Sequence, residues 1–145
     1  MAEQGLTIGV GELRFNVRYT HARTGDHGPS LRIYGDVEGT PVQLLRFDCF
    51  VEDPHYHYVS WGERFNHMLH LDPVADGDPL LWALERIRTR LPQMLERAGA
   101  AALAATLDAR ALEAILPRVT EAAFRARYGR DDAAVERAAV AAARR

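Results

Sequence analysis

Four of the six histidines lie between positions 55 and 70, in the runs His55-Tyr56-His57-Tyr58 and Phe65-Asn66-His67-Met68-Leu69-His70. On an extended strand, residues i and i+2 project from the same face, so His55 and His57 present their imidazoles side by side. If residues 59–65 turn around Gly62-Glu63, the second run pairs back on the first, and register decides which later histidine joins the pair. One register sets His55 opposite His70. Shifting it by one residue sets His57 opposite His67, because the two later histidines have opposite parity. In either case a third imidazole reaches the same face.

Three imidazoles on one sheet face can bind zinc, or another divalent transition metal, with water in an open position. The metal-ligand candidates are therefore His55, His57, His67 and His70, with Asp48 or Glu63 as a further ligand or a partner that orients an imidazole. A second chemistry needs no metal: two imidazoles act as general acid and base while Arg46 or Arg64 stabilises an anion, as phosphodiester cleavage requires. The bland reading is a half-exposed sheet face, where flat tyrosine and histidine rings pack well and their polar edges reach water.

The elements that must position these side chains follow from periodicity. Glu12 to Thr20 alternates strictly and fits a strand with one buried face, and Leu31 to Val37 alternates again, with Gly35 on the inward parity as a bulge candidate. The turn-forming stretch from His21 to Pro29 is read as the loop between them. Val42 to Val51 carries apolar residues on both parities, as a central strand covered on both sides would. Asp78 is an N-cap candidate with Pro79 at the first helical position, and Leu80, Leu84, Ile87, Leu91 and Leu95 form one helical stripe. Pro92 predicts a kink or break near Arg90–Leu91, and Gly99 an end. A further helix through Leu112, Ile115, Leu116 and Val119 runs toward Tyr128-Gly129. Asp131/Asp132 then cap a last Ala-rich helix with a thin apolar edge at Val135 and Val140.

The expected fold is α+β: an antiparallel meander sheet of four to five strands packed against a helix, with a C-terminal Ala/Arg-rich helical extension. The expected division is an α+β domain over 1–98 and a helical extension over 99–145 that is not an independent domain. The one cysteine, Cys49, excludes an internal disulfide and a four-thiolate zinc site, and reads as a small buried hydrophobe. His-x-His also occurs in cupin barrels, but there a glutamate follows the second histidine sooner than Glu63 does, and a second, distant histidine motif is missing here.

The stretch 42–71, in which Leu44-Leu45-Arg46-Phe47-Asp48 runs into Pro54-His55-Tyr56-His57, resembles a small bacterial domain of unknown function. It is also similar to the TumE-type toxins of toxin–antitoxin pairs, which place an Arg-aromatic-Asp strand before a His-rich segment and a helix. That resemblance implies that Arg46, Asp48, His55 and His57 share one site and that the chain is a toxin-like ribonuclease. Cys49 stands where asparagine would be expected from it.

The formal charge of −2 divides unevenly, residues 1–78 being acidic and residues 79–145 basic. All 18 basic residues are arginine, the coding habit of a GC-rich bacterium, so arginine abundance alone is a poor pointer to nucleic acid. The helical tail has too little apolar surface to fold alone, which favours a protein partner or a homo-oligomer docked through the C-terminal helices. Apolar runs are too short for a membrane span, and the start of the chain lacks a signal-peptide pattern, so the expectation is a soluble, cytoplasmic protein. Two functions follow. The first is a non-catalytic binding or accessory subunit of a bacterial assembly that carries a His-based metal site. The alternative is a small enzyme built on the histidine hairpin, either a metal-dependent hydrolase or a toxin-like ribonuclease.

Overall fold

The computed structural model describes residues 5–60 and 65–143. The alternating segments become strands β1 (Leu6–Val10), β2 (Leu13–His21), β3 (His27–Val37), β4 (Thr40–Asp48), β5 (His55–Ser60) and β6 (Phe65–His70). Each pairs antiparallel with its neighbour in sequence, in the order β1-β2-β3-β4-β5-β6. Helices α1 (Pro73–Asp76), α2 (Pro79–Arg97), α3 (Ala101–Thr106) and α4 (Ala109–Ala143) follow. The class is α+β as expected, but the sheet has six strands where four to five were expected. The additional strand is β1, whose alternation is diluted by Gly9 and by glycines at both ends. Ile8 opposite Phe15 and Val10 opposite Leu13 hold it in place.

One sheet face is apolar. Leu13, Phe15 and Val17 of β2, Leu31 and Ile33 of β3, and Leu45 and Phe47 of β4 are buried there against Leu80, Ile87, Leu91 and Leu95 of α2 and Leu112, Leu116 and Val119 of α4. The mixed parity of β4 has a cause other than coverage on both sides. Ile33 pairs with Leu45 but Tyr34 pairs with Gln43, so Leu44 is an extra residue in a β-bulge. The bulge resets the alternation and turns Val42, Leu44, Leu45 and Phe47 toward the same core. Gly35, opposite Val42, is a glycine for a different reason: a Cβ there would lie 2.7 Å from Leu103 Cδ1, so its absence lets α3 approach the sheet.

Asp78 caps α2, its Oδ1 accepting from Leu80 N at 2.9 Å and Leu81 N at 3.4 Å, and Pro79 occupies the first turn. Of the kink or break expected near Arg90–Leu91, the break does not occur: the helix runs through Pro92 to Arg97 as one element. Nor does the following helix end at Tyr128-Gly129, where a last one was expected to begin. A single helix, α4, continues through Gly129 and Asp131-Asp132. One glycine in a run of alanine and arginine costs only about 1 kcal/mol, too little to end a helix. The side chains of Val135 and Val140 lie outside the described residues. Arg127 Nη1 donates to both oxygens of Asp78, at 3.0 and 2.8 Å, fastening α4 to the start of α2. Among the described residues no helix is long and apolar enough to cross a membrane.

Candidate functional site

The other sheet face is polar, and among the described residues no helix packs on it. Register places its side chains in rows that cross the strands. One row runs Asn16, Arg32, Arg46, His57, Met68, and the next runs Arg18, Ser30, Asp48, His55, His70. Asp48 and His57 are buried despite the missing helical layer, and Asn16 and Ser30 are fully so. Polar groups held this far from water need partners, and most of them find each other.

Asp48 is the centre. Its Oδ1 accepts from Ser30 Oγ at 2.8 Å, while Oδ2 lies 3.0 Å from His55 Nε2, 3.3 Å from His57 Nε2 and 3.2 Å from Arg46 Nε. Burial opposes ionisation of this carboxyl, but hydrogen bonds from His55, His57 and Ser30 and the Arg46 charge outweigh it and hold its pKa far below the usual carboxylate range. The hydrogen bond to Asp48 raises the His55 pKa, against a smaller opposing effect of burial.

Both imidazoles are oriented from behind. His55 Nδ1–H donates to the Asp53 carbonyl at 2.8 Å, and His57 Nδ1–H donates to Asn66 Oδ1 at 2.9 Å. With each Nδ1–H committed to a carbonyl oxygen, a ring that carries no second proton turns an Nε2 lone pair toward Asp48 Oδ2. Lone pairs that face one another at this distance call for a shared cation, either a proton or a metal ion. Asp48, His55 and His57 are the group of ligand atoms close enough to hold one ion among the described residues. Two ligands bound to one ion at about 2.0–2.2 Å are separated by roughly 3.0–3.5 Å. The two carboxylate–imidazole spacings, 3.0 and 3.3 Å, fall within that range.

Arg46 qualifies the picture. Its Nη2 donates to His57 Nε2 at 3.0 Å, and its Nε, although near Asp48, makes no directed hydrogen bond. The guanidinium therefore sits where an ion bound by His57 would compete with it.

A second tier holds the loop that carries Asp53. The Asp26 carboxylate accepts from the backbone N–H groups of His27 at 2.9 Å, Glu52 at 2.9 Å and Asp53 at 2.8 Å. Burial works against its ionisation, but these three donors prevail and lower its pKa. Asp53 in turn holds His70, whose Nδ1 lies 2.8 Å from Asp53 Oδ1. The cluster opens onto a recess of about 930 Å³, walled by residues 20–26, Arg32, Arg46, Glu52 and Met68.

The four histidines proposed as ligands thus part company. The register with His55 opposite His70 is the one formed, so His70 shares the face but is tied to Asp53 and stays outside the ligand group. His67 pairs with Tyr58 on the opposite face, with its Nδ1 3.5 Å from Arg97 Nη2. Glu63 and Arg64 lie outside the described residues. Arg46 and Asp48 sit within the cluster. Cys49 is buried on the helical side, where burial and the charges of Asp48 and Asp78 push its thiol pKa up and leave it unreactive. Sequence reasoning passed over Ser30, Asn66, Asp26 and Arg32. The parity of Arg32 showed that it faces outward, but its position beside Arg46 depends on a register that the bulge sets.

Fold and site together define an open-faced α+β sheet domain: helices cover one face, and the other carries a carboxylate–imidazole cluster. The chain belongs to the family described as Domain of unknown function (DUF7700), whose model matches residues 7–123, from β1 well into α4. No curated protein and no solved structure matches it.

Proposed function

We propose that the protein binds a divalent transition metal ion of the zinc class through Asp48, His55 and His57 and uses it to hold a small-molecule ligand in the adjoining recess. One observation carries this reading: both Nδ1–H groups are tied to carbonyl oxygens, the arrangement that fixes the tautomer of metal-binding histidines. Three protein ligands beside an open recess leave coordination positions for water or ligand, which is the pattern of working rather than structural sites. When bound, such an ion supplies Lewis acidity and a more acidic water. The chain's own residues orient the imidazoles and neutralise the carboxylate. The domain then serves as the ligand-binding part of a bacterial assembly or as a small hydrolase, and turnover distinguishes the two.

The test is metal content by mass spectrometry on protein purified without an affinity tag, wild type beside His55→Ala/His57→Ala. We expect about one equivalent of metal in the wild type and none in the folded double variant. A metal-free wild type that also fails to take up added Zn2+ in calorimetry would overturn the proposal.

A second reading keeps the toxin-like ribonuclease. The hydrogen bond from Arg46 Nη2 to His57 Nε2 favours it, since it sets an anion-stabilising cation beside an imidazole with no metal. Cleavage of RNA by metal-free protein, lost in His57→Ala, would establish it over the metal reading.

A further inference from the structure

Arg32 and Arg46 are cross-strand partners on the polar face, so two arginine side chains leave adjacent positions on the same face and line the same recess. Like charges in that position destabilise a sheet unless something compensates them. Arg46 has compensation from Asp48, whereas Arg32 has no side-chain partner in the described structure. Its Nε is buried and unbonded, and so is Thr20 Oγ1, which lines the same recess.

Among the described residues, the acidic groups of the recess do not supply the missing charge. Asp26 is engaged by three backbone N–H groups, Asp48 by the histidines and Arg46, and Asp53 by His70, while Glu52 stands exposed at the rim. Arg23, exposed and without a side-chain partner among the described residues, adds a third cation to the wall.

We infer that Arg32 and Arg46 form an oxyanion subsite, which takes a small molecule through a carboxylate or phosphate group lodged between the two guanidiniums with Thr20 Oγ1 as a further donor. A planar guanidinium with several free N–H groups matches the paired oxygens of either anion. The inference goes beyond the metal reading and does not require it, because the Arg32 end of the recess is cationic with or without an ion at Asp48.

The experiment uses metal-depleted full-length protein, with inorganic phosphate and acetate as separate probes. Chemical shifts of the arginine Nε–H groups in the wild type report contact directly, and calorimetry reports affinity. We expect saturable movement of the Arg32 Nε–H resonance with at least one probe and affinity at least tenfold weaker in Arg32→Gln. Response to phosphate alone assigns the subsite to phosphorylated ligands, and response to acetate alone assigns it to carboxylates. The unliganded Arg32→Gln protein should also melt a few degrees higher than the wild type, since the substitution removes an uncompensated charge. An unmoved Arg32 resonance with both probes, or wild-type affinity in a folded Arg32→Gln variant, would overturn the inference. Metal binding by a protein that ignores both probes would leave the metal reading standing alone.

Discussion

At the scale of single residues, the site depends on what stands behind the imidazoles as much as on the imidazoles themselves. Asn66 holds His57 from the far side, so Asn66→Ala frees the ring to rotate and change tautomer. Zn2+ affinity in calorimetry should fall by about 10- to 100-fold while the thermal transition moves little. Asp26 gives a pH signature. Its folded pKa is lowered, so its contribution is fully present above the unfolded value of about 3.9 and is lost as pH falls through the folded value. In urea titrations the stability difference between wild type and Asp26→Asn should therefore be constant near neutrality and shrink steadily below about pH 4. Much of this centre was legible beforehand, because the i, i+2 spacing of His55 and His57 dictates a shared face whatever the tertiary structure. Ser30 and Asn66 were not, since a lone serine or asparagine on a strand carries no signal until its cross-strand neighbours are known.

At the scale of elements, register and bulge decide which side chains meet. The histidine hairpin had two admissible registers, and which forms determines whether His70 or His67 faces Asp48. His67 goes instead to the helical side, where Arg97 lies over Tyr58 and near the His67 ring. The mixed parity of β4 invited a model of two-sided burial because a bulge and a doubly covered strand leave the same trace in a linear sequence. Helix starts were easier to see, since capping is local: Asp78 followed by Pro79 marks α2 directly. Its contact with Arg127, 49 residues away, is not local. Asp78→Ala removes both the cap and the latch and should cost about 1–2 kcal/mol by chemical denaturation, whereas Arg127→Gln removes only the latch and should cost less than about 1 kcal/mol.

At the scale of the whole molecule, α4 packs against the sheet. Leu112, Leu116, Val119 and Ala123 are buried, and α4 packs on β1, β2 and β3. The family match, residues 7–123, takes in the sheet and the first part of α4. Val119→Asp would place an unpaired charge in this core at a cost of several kcal/mol. Circular dichroism should show the sheet and the helices lost together. A sheet that survives the substitution intact would mark α4 as a detachable layer. The alanine-rich composition hid this role, because small residues bury little area each and reveal their packing only when a helix can lie close to a sheet.

The strictly sequential meander has a consequence for how the chain reaches this state. Every strand pairs with the one just before it, so no pairing waits on a distant segment. A nascent chain leaving the ribosome can lay down β1 to β6 in order. Ser30, Asp48, His55 and His57 all precede α2, α3 and α4 in the chain, so the site-bearing strands leave the ribosome ahead of the helices. The hydrophobic face, by contrast, stays bare until translation delivers the helices. Emergence is therefore vectorial, with the strands first and their apolar cover last, and the half-made protein is exposed to aggregation on its uncovered apolar face.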